Sequence, residues 1–248
     1  MTKRVFVMGA NSAIAQALVG LCVKSGQEVI AAGRDASVLE ALYGQTTGVH
    51  IIEVQACDSA SVDAAFESLA NSGTPVDGYA HCVGSILVAP LTKTTDAQID
   101  NVMQVNLISA MYGLRAFLKQ AKSQGQGGAA VLVSTCATGI GVPNHEAIAA
   151  AKAGIEGLAK SAAATHAADN IRVNVVAPGL TDSPIASAFL KSDVMRAASS
   201  KQYPLQGVNE PIEVAHGMHW LLGDGARRMT GTILNVDGGF RNIRPLVK

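Results

Sequence analysis

Along the whole chain, short runs of β-branched and other apolar residues alternate with longer Ala- and Leu-rich segments of helical period. The short runs fall near 3–8, 28–33, 49–54, 77–82, 129–135, 171–177 and 232–236; the helical segments fall near 12–25, 35–44, 59–72, 96–122, 145–168 and 210–223. Two of the runs, Val-Ile-Ala-Ala at 29–32 and Ala-Ala-Val-Leu-Val at 129–133, are apolar without a break. A strand with one wet face alternates polar and apolar residues, so an unbroken run means that both faces are covered. Buried strands separated by helices predict an α/β fold: a doubly wound parallel sheet of about seven strands with helices on both faces. No linker, repeat, charge block or low-complexity segment interrupts the pattern, so a single domain over 1–248 is expected.

Composition closes off several alternatives. With 48% apolar residues and a formal charge of zero, the chain lies outside the regime of disorder. A chain of this size buries roughly 70–75% of its unfolded surface and needs neither disulfide nor metal to fold. Nineteen basic residues balanced by nineteen acidic ones give no footprint of a nucleic-acid partner. The run Val5-Phe6-Val7-Met8 stops at Gly9, too short for a signal peptide, and no later run approaches the ~20 residues of a membrane span. Cys22, Cys57, Cys82 and Cys136 are scattered without a Cys-x-x-Cys pair, so they read as buried small hydrophobes rather than metal ligands or disulfide partners. A reducing, cytoplasmic setting is expected.

One stretch departs from the alternation. From Pro178 to Val208 there is no single period, and Pro184, Pro204 and Gly207 punctuate it. Residues 184–208 read either as a pair of short surface helices or as a substrate lid; their place after a strand's carboxyl end favours the lid.

Met8-Gly9-Ala10-Asn11-Ser12-Ala13-Ile14-Ala15 reads as a strand end, a tight turn and a helix start. Small residues there let backbone N–H groups approach a pyrophosphate, and the helix N-terminus adds partial positive charge. Only Gly9 is glycine; Ala13 and Ala15 stand where a G-x-x-x-G-x-G pattern has glycines, which narrows the approach. The second strand ends Ala31-Ala32-Gly33-Arg34-Asp35. An acidic residue at such a strand end binds the ribose 2′-hydroxyl of NAD, whereas an arginine accommodates a 2′-phosphate. Arg34 therefore favours NADP over NAD, with a solvated helix-start charge as the plainer reading.

Continued along the chain, these features resemble the classical short-chain dehydrogenase/reductase family, which has a Rossmann fold. Asp58 matches the family aspartate that holds the adenine amino group, and Cys82-Val83-Gly84 stands where the family has Asn-Ala-Gly beside the adenine ribose. Asn106 matches the asparagine of the long helix. Ala177-Pro178-Gly179-Leu180-Thr181-Asp182-Ser183 matches the loop that grips the nicotinamide, and Val236-Asp237-Gly238-Gly239 matches the family's end. The resemblance implies cofactor contacts from Gly9, Asn11, Ser12, Ala13, Ile14, Arg34, Asp58, Cys82, Val83, Gly84, Lys152, Pro178, Gly179, Thr181 and Ser183.

The family's Ser, Tyr and Lys lie at spacings of thirteen and four, so Lys152 sets the comparison. Ile148 then occupies the tyrosine position and Thr135 the serine position, with Ser134 as the alternative hydroxyl. The chain thus resembles an atypical member lacking the proton-donating tyrosine. His145 lies seven residues before Lys152, the His-x6-Lys spacing of the Tyr-x6-Lys pair in the enoyl-acyl-carrier-protein reductase branch. It reads either as a replacement proton donor or as a polar residue at a helix start, with Asn144 as N-cap. Catalytic roles are thus implied for Lys152, Thr135, Asn106 and His145. The resemblance implies an NADP(H)-dependent oxidoreductase acting on a carbonyl, hydroxyl or enoyl group of a small-molecule substrate. The alternative is a catalytically inactive NADP(H)-binding sensor or partner subunit. A homo-oligomer is implied, with Ala147, Ala150, Ala151, Gly154 and Ala164 forming a small-residue face that permits close helix approach.

Overall fold

Each of the first six strands is followed by a helix that crosses back over one face of the sheet, so every neighbouring pair of strands is parallel. The computed structural model describes residues 3–244; the remainder of the expected 1–248 domain lies outside the described residues. The strands are β1 (Arg4–Met8), β2 (Glu28–Gly33), β3 (Val49–Glu53), β4 (Gly78–His81), β5 (Gly128–Val133), β6 (Ile171–Pro178) and β7 (Ile233–Val236). They lie in the order β3-β2-β1-β4-β5-β6-β7, a single-domain, Rossmann-like doubly wound sheet. The order reverses between β1 and β4, the point at which such sheets open a crevice for ligands.

The unbroken apolar runs serve both faces. Val5, Val7, Val29 and Ala31 pack under α1 (Ala13–Lys24), α2 (Ala36–Tyr43) and a late helix over Pro211–Leu222. Phe6, Met8, Ile30 and Leu132 pack under α3 (Ser59–Asn71) and the helices Ser109–Gln124 and Glu146–His166. The scarce aromatics concentrate on this second face: Phe6 stacks on Phe66 at 4.6 Å between centroids, and Tyr79 stacks on Phe117 at 5.8 Å.

Four expectations change. The helix expected over 96–122 is α4 (Asp96–Met103) and α5 (Ser109–Gln124) joined by a wide π-turn over Gln104–Ile108. There the Ser109 N–H reaches the Gln104 carbonyl, five residues back. The next long helix, α6 (Glu146–His166), starts without Asn144 as its cap: Asn144 has a left-handed backbone (φ 64°), and His145 takes the cap position without a side-chain cap bond. Asparagine tolerates that conformation, and the Asn144 carbonyl accepts from the Ala89 N–H at 2.9 Å. Cys57 is exposed rather than buried, because it sits in the turn after β3. Finally, Ala151 is fully buried and Gly154 lies against Leu107, so both serve packing within the chain: a Cβ at 154 would come 2.8 Å from Leu107 Cδ2. Ala150 and Ala164 remain exposed.

Residues 184–208 form a 3-10 turn, Pro184–Phe189, and α7 (Asp193–Ser200); Pro211–Leu222 is α8. At the amino end of β6, the Arg172 guanidinium donates to the carbonyls of Leu221 (2.7 Å) and Gly223 (3.2 Å), fastening the end of α8. Asn174 donates to Met229 O and accepts from Thr232 N, fixing the approach to β7. Among the described residues no helix is long and apolar enough to cross a membrane.

Candidate functional site

A parallel sheet gathers all its carboxyl ends at one edge, and the expected site residues collect there. Gly9 follows β1 with φ 78°, a conformation that disfavours a side chain. A Cβ at Gly9 would also lie 2.9 Å from the Val83 backbone nitrogen, so glycine is required twice over. The turn is fixed by Gly9 and Ala10 N–H groups donating to Ala32 O. Ser12 caps α1, its hydroxyl accepting from Ala15 N. The Ala13 and Ile14 N–H groups then lie in the first turn, without partners inside the helix, beside Asn11. Tyr43 belongs to no motif, yet its buried hydroxyl donates to Ala10 O at 2.6 Å and ties α2 to this turn.

At the end of β2, Arg34 and Asp35 differ in availability. Asp35 caps α2: its carboxylate accepts from Ser37 Oγ, Ser37 N and Val38 N, and the Ser37 hydroxyl leads in holding it below the usual carboxylate range. Arg34 is exposed and forms no ion pair among the described residues. Asp58 caps α3 through Oδ1 to Ala60 N and is exposed. Cys82 and Val83 continue β4, half-buried, and Gly84 is exposed beyond them.

Gly84 marks the centre of the crevice. A methyl added there would sit 3.2 Å from Asn106 Oδ1 and 3.4 Å from Lys152 Nζ, so these two groups flank one point. Asn106 is fully buried in the π-turn, its Oδ1 accepting from Ser85 N and its Nδ2 donating to Ser85 Oγ and Val102 O. Lys152 donates to Val133 O at 2.9 Å, and burial pulls its ammonium down to about 8. Ser134 turns inward, its hydroxyl bonding Glu156 Oε1 (2.9 Å) and Lys152 O (3.3 Å), while Thr135 stays half-buried at the edge. Ile148 packs with Val102 and Ala151 in a small apolar cluster. His145 is half-buried at the start of α6; its Nδ1 lies 2.8 Å from Pro143 O, which only accepts, so Nδ1 carries hydrogen and Nε2 is the free nitrogen.

On the β6 side, Pro178 is buried and the Gly179 N–H reaches Val236 O. Thr181 Oγ1 turns back to Gly179 O, and Ser183 Oγ to Thr181 O. Tyr203 accepts from Leu180 N at 2.7 Å and lies over Gly179, a fastening of the 184–208 segment to this loop.

Behind the site lies a second feature without a sequence signal. Glu156, one turn beyond Lys152 on α6, takes a forked pair from Arg241 (3.1 Å to each oxygen) and hydroxyls from Ser134 and Thr138. Arg241 in turn crosses Gly139, where a Cβ would overlap its side chain.

Residues 9–241 match the family described as "Enoyl-(Acyl carrier protein) reductase". The chain is 33% identical over 242 residues to cis-4-hydroxycyclohexanecarboxylate dehydrogenase of Sinomonas cyclohexanicum, covering 96% of each. It is 26% identical over 240 residues to 3-oxoacyl-[acyl-carrier-protein] reductase MabA of Mycobacterium tuberculosis, covering 97% of this chain and 93% of that one. A solved structure described as ElxO with NADP bound superposes with a TM-score of 0.90 at 22% identity, covering 97% and 99%, a likeness of fold.

Proposed function

The chain belongs to the short-chain dehydrogenase/reductase family, and from that premise we propose that it is an NADP(H)-dependent oxidoreductase acting on a carbonyl, hydroxyl or enoyl group of a small molecule. The observation that carries the reading is the meeting of Lys152 Nζ and Asn106 Oδ1 across Gly84 at the carboxyl edge of the sheet. That two relatives are a hydroxycyclohexane carboxylate dehydrogenase and a 3-oxoacyl reductase supports the alcohol–ketone class.

In this reading the pyrophosphate lies on Gly9, Asn11, Ser12, Ala13 and Ile14, with the adenosine between Asp58 and Cys82-Val83-Gly84. The positive φ of Gly9 and its close packing on Val83 fit the tight turn that such a site needs. When bound, the nicotinamide supplies or accepts hydride. Lys152 holds its ribose, and Pro178, Gly179, Thr181 and Ser183 hold its ring. Thr135, rather than the inward-turned Ser134, orients the substrate oxygen together with Asn106. Residues 184–208 close over the substrate.

Ile148 stands where the family has tyrosine and transfers no proton, so His145 serves as donor. Once Nε2 releases its proton, the ring rests in the Nδ1–H form that Pro143 O already holds. The outward small residues Ala150 and Ala164 remain free to meet another copy in a homo-oligomer.

The second reading, a dinucleotide-binding sensor or partner subunit without turnover, draws on Ile148 lying in an apolar cluster. Purified protein separates the two. Oxidation of NADPH on a panel of ketones, aldehydes and enoyl thioesters is the expected result; a thermal shift with NADPH and no oxidation on any of them supports the second reading.

Preference for NADPH has its own test. Arg34 is free and the carboxylate of Asp35 is occupied as a cap, so Arg34→Ala should weaken NADPH about 10- to 100-fold, the worth of a charge-assisted hydrogen bond, and leave NADH level. Titration calorimetry with both cofactors reads this; equal losses would remove the 2′-phosphate role.

A further inference from the structure

Beneath the π-turn runs a buried hydrogen-bonded chain that the cofactor and substrate contacts do not involve. Tyr79, His81 and Ser109 are each at most 1% exposed. Tyr79 Oη lies 2.8 Å from His81 Nδ1, His81 Nε2 lies 3.1 Å from Ser109 Oγ, and Ser109 Oγ donates to Val105 O at 2.6 Å. The polarity of the chain follows from its last link. A carbonyl only accepts, so the single Ser109 hydrogen goes to Val105 O, and Ser109 Oγ must accept from His81 Nε2–H. The His81 Nδ1 is then bare and accepts from Tyr79. Gly113 makes room for the phenol: a Cβ there would fall 1.8 Å from Tyr79 Oη. Burial, helped by the nearby Lys152 charge, pushes the His81 imidazolium down to about 3, so the ring stays neutral.

The chain ends on the carbonyl that distinguishes a wide turn from a regular one. In an α-helix Val105 O would take the Ser109 N–H. Here that N–H goes to Gln104 O, and the Ser109 hydroxyl takes Val105 O in its place. Asn106 lies within this turn, and the Val102 carbonyl, in the last turn of α4, holds its Nδ2. We propose that the Tyr79–His81–Ser109 chain sets the π-turn and that His81 and Ser109 are thereby positioning residues for Asn106. The role rests on the reading of Asn106 as a site residue.

Ser109→Ala tests it. A crystal structure of the variant should show residues 104–108 relaxed toward regular α-helical bonding and Asn106 Oδ1 withdrawn from Ser85 N. Turnover should fall about 10- to 100-fold at an unchanged KM for NADPH, the cost of a misplaced polar group. A variant that keeps the wide turn and both Ser85 contacts overturns the proposal, as does a lowered melting temperature with unchanged kcat. If Ser109→Ala fails to fold, ¹⁵N NMR of the native imidazole decides instead. A single neutral tautomer protonated at Nε2 and silent between about pH 5 and 9 is expected; an Nδ1–H or titrating His81 overturns it. The crystal and NMR results hold even for a protein that turns nothing over, so they separate failure of this proposal from failure of the oxidoreductase reading.

Discussion

Arg241→Ala should lower stability by about 3–5 kcal/mol, the cost of leaving one partner of a buried ion pair alone. Glu156 would keep only the Ser134 and Thr138 hydroxyls for a carboxylate that is 9% exposed. At a few degrees per kcal/mol for a chain of this size, the melting temperature should drop by about 10 °C or more. Differential scanning calorimetry of Arg241→Ala, Glu156→Leu and the double variant checks the cause. The double variant removes both charges and should recover part of the loss; strictly additive losses would show that the pair does not act as one unit.

The same carboxyl gives the pH dependence. Burial pushes Glu156 up, but hydrogen bonds from Arg241, Thr138 and Ser134 together outweigh it and leave its folded-state pKa depressed. Stability from such a group is present above the unfolded value, about 4.3, and is lost as pH falls through the folded one. The gap between native protein and Arg241→Ala should therefore be full at neutral pH and narrow in acid below about pH 4.

His145→Ala should cut turnover about 10²- to 10⁴-fold, the range that general acid catalysis contributes, while NADPH affinity stays level. The His145 Nδ1–H is fixed on Pro143 O, so Nε2 is the nitrogen that would carry the donated proton. Steady-state kinetics on a responsive substrate from the panel, with titration calorimetry for NADPH, checks both halves. Unchanged turnover would end the role of His145.

The sheet was legible because buried parallel strands carry their own signature. The run expected at 28–33 is β2 residue for residue, and the others differ by one or two positions at their ends. The tight turn after β1 was readable from the order strand, Gly9, helix. What escaped notice depends on contacts between distant residues. Gln104–Ile108 continues the helical spacing on either side, and its wide turn rests on one backbone bond, Ser109 N–H to Gln104 O, that leaves no mark on that spacing. Asn144 has the propensity of a cap, but a contact with Ala89 fixes it in another conformation. Glu156 and Arg241 stand 85 residues apart, beyond any local pattern. Ser134 turns inward to Glu156 while Thr135 stays at the edge, a difference of a single residue of register that local sequence does not decide.

Strand β6 carries fasteners at one end and the 178–183 loop at the other: Arg172 and Asn174 secure α8 and β7, while Pro178 to Ser183 lie about 20 Å along. A substitution in the 178–183 loop should therefore leave the grip of Arg172 on the end of α8 in place.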